Sequence, residues 1–263
     1  MARDISSILS SKVGKVTQTA GASKRTRKLP PSKVPKLEQH LAAASNATHS
    51  WKIQPYLISC KPYGFDKSWS YSNESKLSLC CFDLDGTLIN TKSGRKFAMG
   101  ADDWKWFNDK VVNKLVDASL TYDFIVIFSN QGGIVANDPA SKSYTNFNKK
   151  LTSILGVLNN KEVKNVLLYA APKLPAALKK NPDYCDKSPE KNPFVRNRKP
   201  NTGMWDQLMK DLSIKEVVNT AVDFGSSIFI GDAAGRKKDF SDSDKQFAEN
   251  IGIKFSTPDD FFV

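Results

Sequence analysis

The residues best suited to chemistry are acidic, and they stand where apolar runs stop. Asp83-Leu84-Asp85-Gly86-Thr87 follows the run Leu77 to Phe82, Ser129-Asn130 follows Phe124 to Phe128, and Gly231-Asp232 follows Ser227 to Ile230. Side chains alternate along an extended strand, so Asp83 and Asp85 are expected on one side with Leu84 pointing away. Two carboxylates held side by side are costly unless a metal ion or a shared proton joins them. Asp232 supplies a further carboxylate on another strand end. A DxD on a surface turn would mean little; one that ends a buried strand and runs into Gly-Thr reads as a site. Other chemistries are poorly supplied. The two histidines, His40 and His49, precede the part that looks folded, which argues against serine–histidine hydrolysis and histidine-rich metal sites. The four cysteines (Cys60, Cys80, Cys81, Cys185) form no CxxC pair, which suits a reducing compartment and speaks against a zinc finger.

The elements that must position these residues can be read from apolar spacing. Ile53 to Cys60 reads as an opening strand, and Leu77 to Phe82 as a buried one in which Cys80 and Cys81 are small core residues. Trp104, Phe107, Val111, Val112 and Leu115 fall on one helical face, with Asp102 and Asp103 at its start. Trp106 falls off that face and is open to a base-stacking role. Phe124 to Phe128 and Val166 to Ala171 read as central strands. Between them Tyr144, Phe147, Leu151, Ile154, Leu155 and Leu158 mark a helix. Lys173 to Arg196 is polar and long for a loop, which suggests function. A helix from Thr202 to Leu212, a strand from Ser227 to Ile230 and a helix from Ser243 to Ile251 complete the pattern. Strands this apolar, alternating with helices, predict an α/β, doubly wound, mostly parallel sheet with helices on both faces. The carboxyl ends of such strands share one edge, where ligands bind. Asp83, Ser129 and Asp232 are thereby expected to converge.

Charge is unevenly spread. The 263 residues carry 39 Lys+Arg against 27 Asp+Glu, a net charge of +12. A polyanionic partner, nucleic acid before membrane, is the reading this favours. Residues 1–50 hold nine basic and two acidic groups and are rich in Ser, Thr and Ala. So little apolar content cannot offset the entropy of ordering, and this segment is expected to be a disordered basic tail before a folded domain at 51–263. A short helix is possible around Leu37 to Ala44. The cluster at 23–28 reads as a nuclear address, a DNA-binding arm or a solvated linker, and the Ser-rich, acid-poor first 20 residues leave mitochondrial import as the alternative location. No apolar run approaches the roughly 18 residues of a membrane span.

Phe82-Asp83-Leu84-Asp85-Gly86-Thr87-Leu88 resembles the first motif of the haloacid-dehalogenase-like (HAD-like) phosphotransferases. Later blocks sharpen the likeness. Ser93-Gly94, Ser129-Asn130-Gln131-Gly132-Gly133, Tyr169-Ala170-Ala171-Pro172-Lys173, Arg198-Lys199-Pro200 with Thr202-Gly203-Met204, and Gly231-Asp232-Ala233-Ala234-Gly235-Arg236 are similar to the polynucleotide kinase 3′-phosphatases. Lys237-Lys238-Asp239-Phe240-Ser241 and Phe247-Ala248-Glu249-Asn250 extend the resemblance, which covers about Ile53 to Phe262. The chain departs from the two-activity members in lacking a GxxxxGK[ST] phosphate loop, a kinase domain and a forkhead-type domain. It looks like a stand-alone DNA 3′-phosphatase without kinase activity.

The resemblance implies a role for each matched residue. Asp83 would attack phosphorus and form an aspartyl-phosphate, dividing a hard hydrolysis into two displacements. Asp85 would protonate the departing sugar oxygen and then deprotonate water. Mg²⁺ would sit on Asp83, Asp232 and the backbone carbonyl of Asp85, because hard oxygen ligands suit it. Lys199 would neutralise charge, and Ser129, Asn130 and neighbouring N–H groups would hold phosphate oxygens. Asp239 would orient a metal-bound water. Lys92, Arg95, Lys96, Arg198, Arg236, Lys237 and Lys238 would track a DNA backbone, although surface solvation explains any one of them equally well. The implied partner is DNA with 3′-phosphate ends at nicks, gaps or single-stranded termini, acted on by a monomer that can join other repair proteins. Two other readings stay open: a small-molecule HAD phosphatase of the sugar- or histidinol-phosphate type, and an inactive DNA-end-binding module.

Overall fold

The structure, a computed structural model, describes residues 48–68, 76–136, 138, 140–212 and 221–263. The basic cluster at 23–28, the short helix expected around residue 40 and nearly all of the tail lie outside the described residues. Asn46–Val263 form one compact unit. Its first strand begins at His49, so the folded part starts slightly before the expected boundary at 51.

The chain opens with a hairpin, β1 (His49–Gln54) and β2 (Leu57–Pro62), and a short helix α1 (Phe65–Ser68). The single opening strand expected over Ile53 to Cys60 is thus two antiparallel strands, broken at Pro55-Tyr56, where proline cannot donate to a ladder. Then come β3 (Leu79–Phe82), a small ribbon of β4 (Ile89–Asn90) and β5 (Lys105–Trp106), helix α2 (Val111–Thr121) and β6 (Phe124–Gln131). Helix α3 (Lys142–Asn160), β7 (Val166–Pro172) and two short helices, α4 (Pro182–Cys185) and α5 (Pro193–Arg196), follow. The chain ends with α6 (Gly203–Asp211), β8 (Ile228–Ile230), α7 (Ser243–Ile251), β9 (Lys254–Ser256) and α8 (Pro258–Phe261).

The main sheet has the order β1-β2-β7-β6-β3-β8-β9. From β7 to β9 neighbouring strands are parallel, and the β1–β2 hairpin adds an antiparallel edge beside β7. The fold is therefore the expected doubly wound α/β sheet. One face packs Cys80, Phe82, Ile125 and Ile127 against α2 and α3; the other packs Leu79, Cys81, Val126 and Phe128 against α6 and α7. Consecutive residues point to opposite layers, which is why these strands read as unbroken apolar runs. Cys80 and Cys81 fill the two cores, and burial pushes both thiols up.

One helix was misplaced by the apolar spacing. Residues 104–110 are not helical; Trp106 pairs with Ile89 across the small ribbon, and Trp104 packs edge-to-face on Trp106 at 5.3 Å. Trp106 is half-buried and packs against the core. Asp103 does not start a helix. Its carboxylate accepts from Ser93 N at 2.8 Å, Ser93 Oγ at 2.7 Å and Met99 N at 2.8 Å, pinning the loop 91–103. Among the described residues no helix is long and apolar enough to cross a membrane.

Candidate active site

The adjacent strands β6, β3 and β8 deliver Ser129, Asp83 and Asp232 to one edge of the sheet, as parallel register requires. Asp83 follows β3 directly, and its N–H donates to Ile230 O at 2.8 Å, fixing the nucleophile candidate beside the β8 strand that leads to Asp232. The crossing is tight. A Cβ on Gly86, whose φ is +87°, would lie 2.5 Å from Asp232 Oδ2. Only glycine combines that backbone angle with that approach.

Three carboxylates gather here: Asp83, Asp232 and Asp244, with one oxygen from each within 4.8 Å of the others. Lys199 is buried among them. Its ammonium donates to Asp83 Oδ1 at 2.6 Å and Phe128 O at 2.7 Å, and pairs with Asp244 Oδ1 at 2.7 Å. One cation cannot balance three crowded carboxylates, two of them buried and Asp232 half-buried. Burial pushes Asp83 well above the ordinary carboxylate range against the pull of Lys199, and Asp244 and Asp232 add to the rise. Burial raises Asp232 as well, to about 6, with Asp244 contributing. Burial works against the charge on Lys199, yet Asp244 and Asp83 outweigh it and hold the ammonium above its usual value.

Asp85 is elsewhere. Its carboxylate is half-exposed, accepts from Lys150 Nζ at 3.0 Å and Gln131 Nε2 at 2.6 Å, and is not part of the three-carboxylate cluster. The paired carboxylates expected from alternation are thus separated, because the chain leaves the strand after Asp83 and turns at Gly86. Ser129 is buried, and its hydroxyl accepts from Gln131 at 2.8 Å. Asn130 has its side chain committed to the lysine loop, accepting from Lys199 N at 2.9 Å and donating to Lys199 O at 3.0 Å. Its side-chain amide therefore helps position Lys199.

The basic residues divide into free and engaged. Arg236 bonds Asp239 at 2.9 Å, Asp259 at 3.1 Å and the Asp232 carbonyl at 3.3 Å, so it braces the Asp232 loop. Asp239 also accepts from Ala234 N and Arg236 N, which ties it to the same loop. Arg198 is half-buried beside Gly132, where its guanidinium reaches the Ala171 carbonyl at 3.3 Å. Burial lowers its pKa. Lys92, Arg95 and Lys237 are exposed. Lys96 Nζ stands 5.7 Å from the Phe97 ring centre and 6.0 Å from that of Phe240, joining the loops at 91–103 and 236–241. Phe97, Met99 and Phe240 are exposed on this rim.

Three residues of the site escaped the sequence reading: Asp244, Gln131 and Lys150. Two had a visible signal. Asp244 shares the helical face of Phe247, Ala248 and Ile251, and Lys150 lies three residues after Phe147 and four before Ile154. A charge on an apolar stripe is buried and must find a partner.

The profile of the family described as polynucleotide kinase 3 phosphatase matches residues 78–262. The chain belongs to this family. The match takes in every strand end and every side chain of the site. Within the family the chain is similar to the polynucleotide 3′-phosphatase of Saccharomyces cerevisiae, 36% identical over 239 residues, which are 82% of this chain and 99% of the relative. It is 41% identical over 182 residues to the bifunctional polynucleotide phosphatase/kinase of Schizosaccharomyces pombe, covering 69% of this chain and 36% of that one. A polynucleotide 3′-phosphatase of Arabidopsis thaliana is 30% identical over 191 residues, 73% of this chain and 24% of the relative. The chain thus spans nearly all of the budding-yeast relative but about a third of the fission-yeast one. Among solved structures a putative HAD-like phosphatase from Mesorhizobium loti matches the fold with a TM-score of 0.50 at 16% identity, over 76% of this chain and 78% of that one.

Proposed function

We propose that the protein is a magnesium-dependent polynucleotide 3′-phosphatase that restores a 3′-hydroxyl at DNA strand breaks. The carrying observation is Asp83 at the end of a central strand, hydrogen-bonded to a buried lysine and grouped with Asp232 and Asp244, in a chain of the 3′-phosphatase family. Lys199 occupies Asp83 Oδ1 and leaves Oδ2 as the attacking atom. That oxygen forms the bond to phosphorus while the bond to the sugar oxygen breaks, and Asp85 gives its proton to that oxygen. Asp85 then takes a proton from the water that releases phosphate from Asp83. The ammonium of Lys199 offsets negative charge where the phosphoryl group would sit. Ser129 keeps its O–H to donate to a phosphate oxygen.

The donor set fits a hard divalent ion. Three oxygen ligands carry more negative charge than Lys199 balances, and burial keeps Asp83 and Asp232 reluctant to ionise without a further cation. Asp83 and Asp232 would hold Mg²⁺, which when bound lets a carboxylate approach a dianionic phosphate. Phosphate release from a 3′-phosphorylated oligonucleotide is expected in Mg²⁺ and is lost in excess EDTA. Full activity in EDTA overturns the metal reading. These 263 residues contain no GxxxxGK[ST] phosphate loop, and no label is expected to pass from the γ-phosphate of ATP to a 5′-hydroxyl.

The rim of Lys92, Arg95, Phe97 and Lys237 suits a single-stranded terminus, with cations on phosphates and rings on bases. Backbone contacts position without specifying, so turnover should vary little among the four terminal bases.

The electrostatic cost of the cluster gives a further expectation. The folded value of Asp232, about 6, lies above the ordinary 3.8, so its contribution to stability is complete below the lower value and lost as the pH rises through the upper one. At pH 7.5 without metal, Asp232→Asn should therefore be more stable than the parent by about 3 kcal/mol, a melting temperature higher by roughly 8 °C in a domain of this size. The difference should shrink at pH 4. Mg²⁺ should raise the melting temperature of the parent and scarcely that of the variant. A variant that melts lower than the parent at pH 7.5 contradicts this.

A further inference from the structure

Lys150 projects from the buried face of α3 among Tyr144, Phe147, Leu151 and Ile154, and is 6% exposed. Taking an ammonium out of water costs several kcal/mol unless it is paired. Its ion pair is with Asp85 Oδ1, 3.0 Å away, and its ammonium lies 5.9 Å from the Phe147 ring centre. The Asp85 side chain is 53% exposed. Left alone, such a carboxylate would swing among rotamers in water. Here Lys150 takes one oxygen while Gln131, itself buried and bonded to Ser129, takes the other. A charge placed in the core to reach a half-exposed carboxylate does little for stability, since Asp85 could be solvated without it.

We propose that Lys150 is a positioning residue for the phosphatase reaction: with Gln131 it fixes the Asp85 carboxyl in the one orientation from which it exchanges a proton with the leaving sugar oxygen and the attacking water. An ionised carboxylate offers about four lone-pair sites, so the two anchors leave sites at which Asp85 takes up the proton it gives to the leaving oxygen. The inference rests on the phosphatase reading, in which Asp85 is the proton donor.

The test compares Lys150→Met, Lys150→Arg and Asp85→Asn with the parent on two substrates. One is a 3′-phosphorylated oligonucleotide, whose alkoxide must be protonated as it leaves. The other is p-nitrophenyl phosphate, whose phenolate leaves without a proton. Lys150→Met should lower kcat on the oligonucleotide about 10- to 100-fold, as small displacements of a catalytic group do. KM should stay within about threefold, and so should the first-turnover burst of p-nitrophenolate, because no general acid is needed there. Its melting temperature should hold or rise, since an apolar side chain suits the stripe better than an ammonium. Lys150→Arg should recover most of kcat. A loss in the p-nitrophenolate burst equal to that in oligonucleotide turnover, a rise in KM at unchanged kcat, or parental kcat in Lys150→Met each overturn the proposal. Asp85→Asn separates the two levels. If it turns over the oligonucleotide, the proton-donor reading fails; if it is inactive while Lys150→Met is parental, only the role of Lys150 falls.

Discussion

Asp83→Asn should lose at least about 10⁴-fold in turnover of a 3′-phosphorylated oligonucleotide, because an amide oxygen does not attack phosphorus and the remaining groups act only with the nucleophile. The fold should survive. Burial already disfavours the charge on Asp83, and Lys199 retains Asp244 and the Phe128 carbonyl as partners. An amide of the same shape removes one of three crowded anions without opening a cavity. Circular dichroism and thermal melting measured beside the rate distinguish loss of chemistry from loss of structure. Substantial turnover in a folded Asp83→Asn protein would place the nucleophile elsewhere.

Lys199→Met should cost less in rate than Asp83→Asn but, unlike it, should damage stability as well as chemistry. The ammonium is the shared partner of Asp83 and Asp244, and it also satisfies the Phe128 carbonyl at the end of the central strand. Its loss leaves two buried carboxylates facing each other. Breaking a buried ion pair from one side costs about 3–5 kcal/mol, and removing a cation aimed at developing negative charge costs roughly 10²–10³ in rate. Denaturation in EDTA should show the full destabilisation, and Mg²⁺ should restore more stability to the variant than it adds to the parent. Lys199→Met with parental activity would remove the lysine from the mechanism.

What could be read from the sequence was the part that local chemistry dictates. Buried parallel strands leave an unbroken apolar signature, so β3, β6, β7 and β8 are legible in the sequence, together with the carboxylates Asp83 and Asp232 that follow β3 and β8. The helix α7 was bounded correctly at Ser243 and Ile251. The misread region, 104–110, follows from an ambiguity in spacing: Trp104, Phe107 and Val111 satisfy a helical period, yet the strand pairing of Trp106 with Ile89 overrides it. Partnerships across long sequence separations were not readable. Nothing near Asp85 announces that Lys150, on a helix five elements later, will bind it, and nothing near Arg236 announces Asp259. Both turn on tertiary geometry, which decides that Asp85 leaves the carboxylate cluster and that Arg236 is a brace.

The chemistry assigned to this edge of the sheet is tested most directly by phosphate release from matched oligonucleotides carrying the phosphate at the 3′ or the 5′ end, assayed in Mg²⁺ with the parent and Asp83→Asn. The parent should release inorganic phosphate from the 3′-phosphorylated strand and leave a 3′-hydroxyl that a polymerase can extend. It should act poorly on the 5′-phosphorylated strand, and Asp83→Asn should act on neither. Equal release from both ends, or release from the 3′ end that persists in Asp83→Asn, would contradict a 3′-phosphatase built on this aspartate.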